Sequence, residues 1–229
     1  MSRTFVIGDI HGAYRALRQC LERSGFEEHD RLICLGDVCD GWPETKECVD
    51  HLLQMHHLTY ILGNHDFWAY EWMMTGKVES FWSDQGGDAT MKSYTAGVPS
   101  SHVIFFQKAL PYFLDNNRLF VHAGIDPHQP LDQQGLDIFI WDRTLVHQAL
   151  ELYSKNVKKK LTSFDEVYIG HTPILSKHPI ESGGIWLMDT GAGWSGVLSI
   201  MNVNTKEAFV SDPVPELYPG VAGRGAKSF

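Results

Sequence analysis

Leu62-Gly63-Asn64-His65-Asp66 sets an amide, an imidazole and a carboxylate side by side at the end of an apolar run, Leu58-Thr59-Tyr60-Ile61-Leu62. Two earlier stretches are built the same way. Gly8-Asp9-Ile10-His11-Gly12 closes the run from Phe5, and Gly36-Asp37-Val38-Cys39-Asp40-Gly41 closes the run from Leu32. His122-Ala123-Gly124 and Gly170-His171-Thr172 repeat the arrangement further on. Asp9, Asp37 and Asn64 follow one another at 28 and 27 residues. One strand–helix–strand unit takes roughly 30. That spacing lands the motifs on the same ends of neighbouring parallel strands, where they converge.

The converging side chains are Asp9, His11, Asp37, Asn64, His122 and His171. This is an oxygen and nitrogen set without thiolate, which suits Mn, Fe or Zn better than a cysteine-rich structural zinc. Six ligands exceed the need of one tetrahedral ion. A carboxylate bridging two ions accounts for the number and gives a metal pair about 3.5–4 Å apart. Taken singly, an Asp beside Gly is a turn and a His after a strand is structural. Six in one context argue for a centre. The other histidines (His29, His51, His56, His57, His102, His128, His147, His178) lack it and read as surface or helix residues.

The elements that must hold these side chains are legible in part. Thr4–Gly8, Arg31–Leu35 and Leu58–Leu62 read as strands, and Ala13–Ser24 and the stretch after Pro43 as amphipathic helices. This β-α-β-α-β opening implies a parallel sheet covered by helices. Asp66–Thr75 reads as an aromatic helix serving the core, or walling the substrate. Ser83–Ser101 reads as loop with a helical piece, and Gly86-Gly87 as a turn. His102–Ala109 and Asp137–Arg143 read as helical. Tyr112–Leu114 and Arg118–Val121 form a hairpin around Asp115-Asn116-Asn117. Lys155–Lys160 reads as a solvated helix face. Glu166–Ile169 is a strand; Ile185–Met188, Val197–Asn202 and Ala208–Ser211 are expected to pair in a second sheet. The expected organisation is one domain, residues 1–212, and a poorly ordered Pro/Gly-rich tail, residues 213–229.

Composition narrows the class. With 43% hydrophobic and 21% charged residues, the 229-residue chain is globular and long enough for a two-layer core. No apolar run reaches the roughly 18 residues needed to span a bilayer. No signal-peptide pattern opens the chain, so the cytosol is the simplest compartment. Cys20, Cys34, Cys39 and Cys48 form no CxxC pair and read as reduced thiols. A net charge of −9 argues against duplex nucleic acid as a partner. It does not exclude a phosphate substrate, because bound cations reverse the sign of the field locally.

In order and content these motifs resemble the PPP-type metallophosphatases, within the wider calcineurin-like metallophosphoesterases. The likeness is to the small bacterial and phage branch, which also holds symmetrical diadenosine tetraphosphate hydrolases. It runs from about residue 5 to 195 and includes Asp189-Thr190-Gly191-Ala192. The resemblance implies an α/β fold of two packed mixed β-sheets flanked by helices, with the site at strand ends. It implies that Asp9, His11 and Asp37 hold one metal, and that Asp37, Asn64, His122 and His171 hold the other, with Mn leading and Fe or Zn as alternatives. It further implies in-line attack on phosphorus by a metal-bridging hydroxide. His65 would be the leaving-group acid, with Asp40 orienting and charging it, a sound assignment because a carboxylate favours the imidazolium.

The chain departs from the PPP pattern at three positions. Gly41-Trp42 stand where Arg-Gly is common and that Arg binds phosphate; Leu62 stands where many protein phosphatases have Arg; Asp66 stands for Glu, as in the dinucleotide hydrolases. Trp141-Asp142-Arg143 is similar to a Trp-x-Arg segment of small bacterial members, which makes Arg143, with Asn64, the expected phosphate contact. Lys92 or another cation would otherwise stand in for the arginine missing at 41. Cys39 reads as a packing residue in preference to an oxidant sensor. Trp42, Trp68 and Trp72 are expected around the mouth.

The leading functional expectation is a dinuclear metal-dependent phosphomonoesterase acting on phosphoserine, phosphothreonine or phosphotyrosine peptides or small phosphate esters. Leu62 and Asp66 favour a symmetrical diadenosine tetraphosphate hydrolase instead. Gly41 favours a non-catalytic phosphate- or nucleotide-binding protein on the same scaffold.

Overall fold

In the computed structural model, which describes residues 2–225, the chain folds into two sheets packed face to face and covered by helices. In chain order the elements are β1 (Thr4–Ile7), α1 (Tyr14–Arg23), β2 (Arg31–Cys34), α2 (Thr45–Leu52), β3 (Leu58–Tyr60), α3 (Asn64–Thr75), α4 (Ser80–Trp82), α5 (Asp88–Ser93), α6 (Ser100–Gln107), β4 (Tyr112–Asp115), β5 (Arg118–Val121), α7 (Leu136–Trp141), α8 (Thr144–Ser154), β6 (Glu166–Ile169), β7 (Ile180–Ser182), β8 (Ile185–Leu187), β9 (Ser199–Asn202), β10 (Ala208–Val210) and α9 (Val214–Leu217). Ser83–Gly87 joins α4 to α5 through a kink at Gly86, which has φ 100°.

The first sheet runs β10-β9-β1-β2-β3 and the second β4-β5-β6-β8-β7. β1, β2 and β3 are parallel neighbours, as are β5, β6 and β8. The motifs after β1, β2 and β3 therefore leave adjacent strands at the same end, and those after β5 and β6 do so in the second sheet.

Alternation along each strand builds the layers. Phe5, Ile7, Leu32 and Cys34 face the helices, while Val6 and Ile33 face the second sheet. Phe120 and Tyr168 answer them with stacked rings 4.6 Å apart. Fully burying such side chains is worth about 1.5–3 kcal/mol each. No helix among the described residues is long and apolar enough to cross a membrane.

Four expectations change. The late strands do not share one sheet: β9 and β10 extend the first sheet, because β9 pairs antiparallel with β1, and only β8 joins the second. Lys155–Lys160 is not a helix face; α8 ends at Ser154 and Lys158, Lys159 and Lys160 line a surface groove with Glu166 and Glu181. α8 and β7 were not evident in the sequence. The tail is ordered through residue 225: α9 follows Pro213, the Val214 N–H donates to Gly196 O (2.9 Å), and Tyr218 stacks on Trp42 at 5.2 Å. Residues 226–229 of the expected tail lie outside the described residues.

At the end of the sheet away from the motifs, Asp30 ties β1 to β2. Its buried carboxylate accepts from Arg3 N (2.9 Å), Arg3 Nη2 (2.6 Å) and Glu27 N (2.9 Å). Burial pushes this carboxyl up, but the Arg3 hydrogen bonds outweigh it and bring it down to about 2. A carboxylate depressed on folding stabilises above its unfolded value and loses that contribution as pH falls through the folded one. Asp30→Ala is expected to lose about 1–3 kcal/mol at pH 7. Urea unfolding should show the gap to wild type narrowing as pH falls from 4 toward 2.5. A gap independent of pH would refute the assignment.

Candidate active site

Each motif turns as it leaves its strand. His11, Asp37, Asp40 and His171 all adopt positive φ, at 51°, 50°, 72° and 62°. Non-glycine residues held there cost about 1–3 kcal/mol each, and the surroundings must enforce them. Two glycines allow the close approach. A Cβ at Gly63 would stand 2.0 Å from Asp37 Oδ1, and one at Gly170 would stand 2.2 Å from Asp9 Oδ1. Asp9 also accepts the His171 N–H through both oxygens (3.1 and 2.9 Å), so the ends of the two sheets meet at this carboxylate.

The six expected ligands come together and are buried. Ligand atoms of Asp9, His11 and Asp37 lie within 4.8 Å of one another, as do those of Asp37, His122 and His171. Asp37 belongs to both groups. Asn64 Oδ1 adjoins the second, 3.0 Å from His122 Nε2. Backbone carbonyls fix the imidazoles: His122 Nδ1–H donates to Leu35 O (2.7 Å) and His11 Nδ1–H to Cys39 O (2.9 Å). Each therefore turns Nε2 inward, as imidazoles that ligate metal through Nε2 do. His171 Nε2 is buried with no hydrogen-bond partner among the described residues. Two triads sharing a carboxylate, pinned imidazoles and an orphaned nitrogen fit a pair of divalent cations.

The electrostatics agree. Burial, followed by the Asp189 carboxylate, pushes the Asp9 carboxyl well above its usual range. Burial also opposes ionisation of Asp37, but the imidazoles of His122, His65 and His11 together outweigh it and Asp37 is held well below that range. Burial and His122 lower His171 to about 2, whereas Asp37 overcomes burial at His122 and raises it to about 9. Asp189, buried nearby and raised by burial to about 6, is a site carboxylate that the sequence marked only by resemblance.

His65 and Asp40 pair as expected: His65 Nδ1–H donates to Asp40 Oδ2 at 2.7 Å. Asp40 is held in turn by Trp82 Nε1–H (2.7 Å) and Thr90 Oγ1–H (2.7 Å). Trp82 and Thr90 lie in or beside the stretch read as mostly loop and were missed. The usable signal was Trp82 ahead of Gly86-Gly87, since the indole packs against Gly87. Arg143 is exposed at the start of α8, close enough to His171 for its charge to disfavour a second cation there.

The aromatic mouth is corrected. Trp42 is buried, with its Nε1–H donating to Ala192 O (2.7 Å), and Trp72 packs toward Trp82. Trp68 stays at the mouth beside His65 (ring centroids 4.9 Å), joined by Phe81 and Trp141. Trp141 also meets His171 edge-on at 5.9 Å. Cys39 is buried, as a packing role requires.

Asp66 has a role the sequence did not reveal. Its carboxylate accepts from the backbone N–H groups of Asp37 (2.7 Å), Val38 (2.9 Å), Cys39 (3.3 Å) and Gly63 (3.0 Å), and from Tyr60 Oη (2.6 Å). It faces loop backbone and not the mouth, so its identity says little about substrate.

The chain matches the calcineurin-like phosphoesterase family over residues 2–192 and belongs to it. It is a metallophosphoesterase. It is 24% identical to "Serine/threonine-protein phosphatase 1" of Salmonella typhimurium, over 87% of this chain and 91% of that one. It is also 24% identical to the "Bis(5'-nucleosyl)-tetraphosphatase, symmetrical" of Pseudomonas fluorescens, over 96% and 99%. Among solved structures, a putative diadenosine tetraphosphatase superposes with a TM-score of 0.69 at 17% identity, covering 93% of each chain. A cold-active protein-tyrosine phosphatase of Shewanella gives 0.58 at 15% identity, covering 93% and 81%. At these identities the structures speak for the fold alone.

Asp66→Asn replaces an acceptor-only group with one that turns an NH2 toward backbone donors. It is expected to lose about 2–4 kcal/mol of unfolding free energy, and metal affinity should drop about 10–100-fold. Chemical denaturation and metal titration test this; wild-type values in both would show that the carboxylate is dispensable.

Proposed function

We propose that the protein is a phosphomonoesterase that uses two divalent cations, Mn before Fe or Zn, on phosphoserine, phosphothreonine or phosphotyrosine peptides or small phosphate esters. The carrying observation is the His65–Asp40 pair set beside two triads that share Asp37. A binding protein has no use for a leaving-group acid, so the non-catalytic reading is dropped. When bound, the cations supply a water of lowered pKa and charge compensation for the phosphate.

The chain's own groups do the rest. Asp40 fixes the His65 ring through Nδ1, which leaves Nε2 to carry a proton to the departing oxygen. Asn64, at the start of α3, and Arg143, on the His171 side, are the groups assigned to phosphate oxygens. The Trp68, Phe81 and Trp141 wall gives an aromatic leaving group a surface to stack on. The same wall suits a nucleobase. With the full-length likeness to a tetraphosphatase, that makes a symmetrical dinucleotide hydrolase the second reading.

Metal-stripped protein should regain phosphate release from p-nitrophenyl phosphate and phosphopeptides when Mn(II) is restored, with diadenosine tetraphosphate untouched. Cleavage of the dinucleotide alone would replace the first reading by the second. His122→Ala and Asn64→Ala should abolish metal-dependent turnover. His65→Asn should slow alkyl esters by about 10²–10⁴-fold, the usual worth of a general acid, and aryl esters far less, because aryl oxides leave without help. Equal losses on both would remove His65 as the acid.

A further inference from the structure

The C-terminal segment returns to the site and delivers a guanidinium. α9 and Tyr218 dock on α1: the Arg15 N–H donates to Tyr218 Oη (3.0 Å), which itself hydrogen-bonds Glu44. The chain then passes Trp42, and the Arg224 N–H donates to Gly193 O (3.0 Å). The Arg224 guanidinium lies over the Trp194 ring at 4.7 Å. Its Nε–H and Nη2–H donate to Gln85 O (3.3 Å) and Gln85 Oε1 (2.9 Å). Nη1 comes within 3.5 Å of His11 Nε2, the inward nitrogen of the first triad.

Glycines make the berth. A Cβ at Gly41 would stand 2.9 Å from Arg224 Cγ, one at Gly193 would stand 3.0 Å from Cδ, and one at Gly86 would stand 3.3 Å from Cγ. A side chain at 41 and the arginine at 224 compete for the same space. Gly41 also sits at φ 111°, so a substitution there is strained in any case. Arg224 thus enters the space left by the glycine, and it comes from beyond residue 192, where the family match ends.

A guanidinium has five N–H donors. Gln85 engages two, and His11 Nε2 cannot accept from Nη1 once it ligates a cation. A cation beside a dication site is repelled unless an anion lies between them. We propose that Arg224 is a catalytic residue that binds the phosphoryl oxygens of the substrate beside the Asp9–His11–Asp37 triad. The proposal rests on the metallophosphoesterase chemistry of the site and not on which phosphate ester is the substrate. Arg143, on the His171 side, faces the same phosphate from the opposite triad.

The test compares wild type, Arg224→Ala and Arg224→Lys in the full chain, loaded with Mn(II). Inorganic phosphate is the binding probe, followed by calorimetry and by competitive inhibition. Arg224→Ala should weaken phosphate binding at least tenfold and reduce kcat/KM for p-nitrophenyl phosphate by about 10²-fold, the usual worth of one transition-state donor, with metal content unchanged. Lysine should restore part of the loss, because it keeps the charge without the fork. Millimolar guanidinium should restore part of the activity of Arg224→Ala. Unchanged phosphate affinity in Arg224→Ala would overturn the proposal, as would faster turnover, which would make the arginine an inhibitory plug. A loss of bound metal with no rescue by guanidinium would overturn it too, by showing a structural role. Phosphate binding decides Arg224 whether or not any tested ester turns over. Failure of wild type to hydrolyse monoesters would count against the proposed function alone.

Discussion

The Asp66 carboxylate holds the centre together. One buried side chain gathers four backbone N–H groups and a phenol hydroxyl from β3, from the turn before α3 and from the loop after β2. That loop carries Asp37, which both triads share, and Asp40, which aims His65. Asp37 and Asp40 sit at positive φ, a conformation that local preference resists. Hydrogen bonds to a charged acceptor are worth about 1.5–3 kcal/mol, enough to offset the strain at one or two such residues. Remove Asp66, and the loop has cause to relax toward an ordinary turn that carries the bridging carboxylate away from the imidazoles.

Charge explains why the rest of the molecule is so firmly packed around this point. Asp9, Asp37, Asp66 and Asp189 are all buried in one region, and burial pushes Asp9, Asp66 and Asp189 upward. Such a cluster opposes folding unless something compensates. The interdigitated sheet faces and the helix-covered outer faces supply the opposing free energy. Cations held at the triads would add to it, since a ligand taken up only by the folded chain stabilises that state.

The sequence made the ligand set legible because each member obeys one local rule, an apolar strand followed by glycine and a donor. The same rule exposed the parallel trio β1, β2 and β3, and the Asp115-Asn116-Asn117 turn exposed the hairpin of β4 and β5. What it left hidden depends on contacts between distant segments. Nothing local tells β9 to pair with β1 and not with β8, since all three are short apolar strands whose partners are chosen by the packing of the whole sheet. Trp42, expected at the mouth, turns inward because an aromatic beside a motif takes its direction from neighbours, here Tyr218 and Ala192, more than a hundred residues away in sequence. Asp66 was placed in the motif correctly, yet its partners lie in the loop after β2 and gave no sign of themselves.

The tail is the sharpest such case. Three prolines and several glycines suggested a chain without structure, yet residues 213–225 are held by α1, Trp42 and Gly193. Glycine has two meanings in a sequence: freedom of the backbone, or room for a neighbour. At Gly41, Gly86 and Gly193 the second meaning governs, because each leaves space that Arg224 uses. An arginine carried on the second motif itself would be fixed by its own strand end. One carried on the C-terminal segment is fixed by the docking of that segment, through Tyr218 on α1 and Trp194 beneath the guanidinium. Phosphate binding on the first-triad side is then coupled to the seating of residues 213–225, whereas Arg143 is held independently at the start of α8.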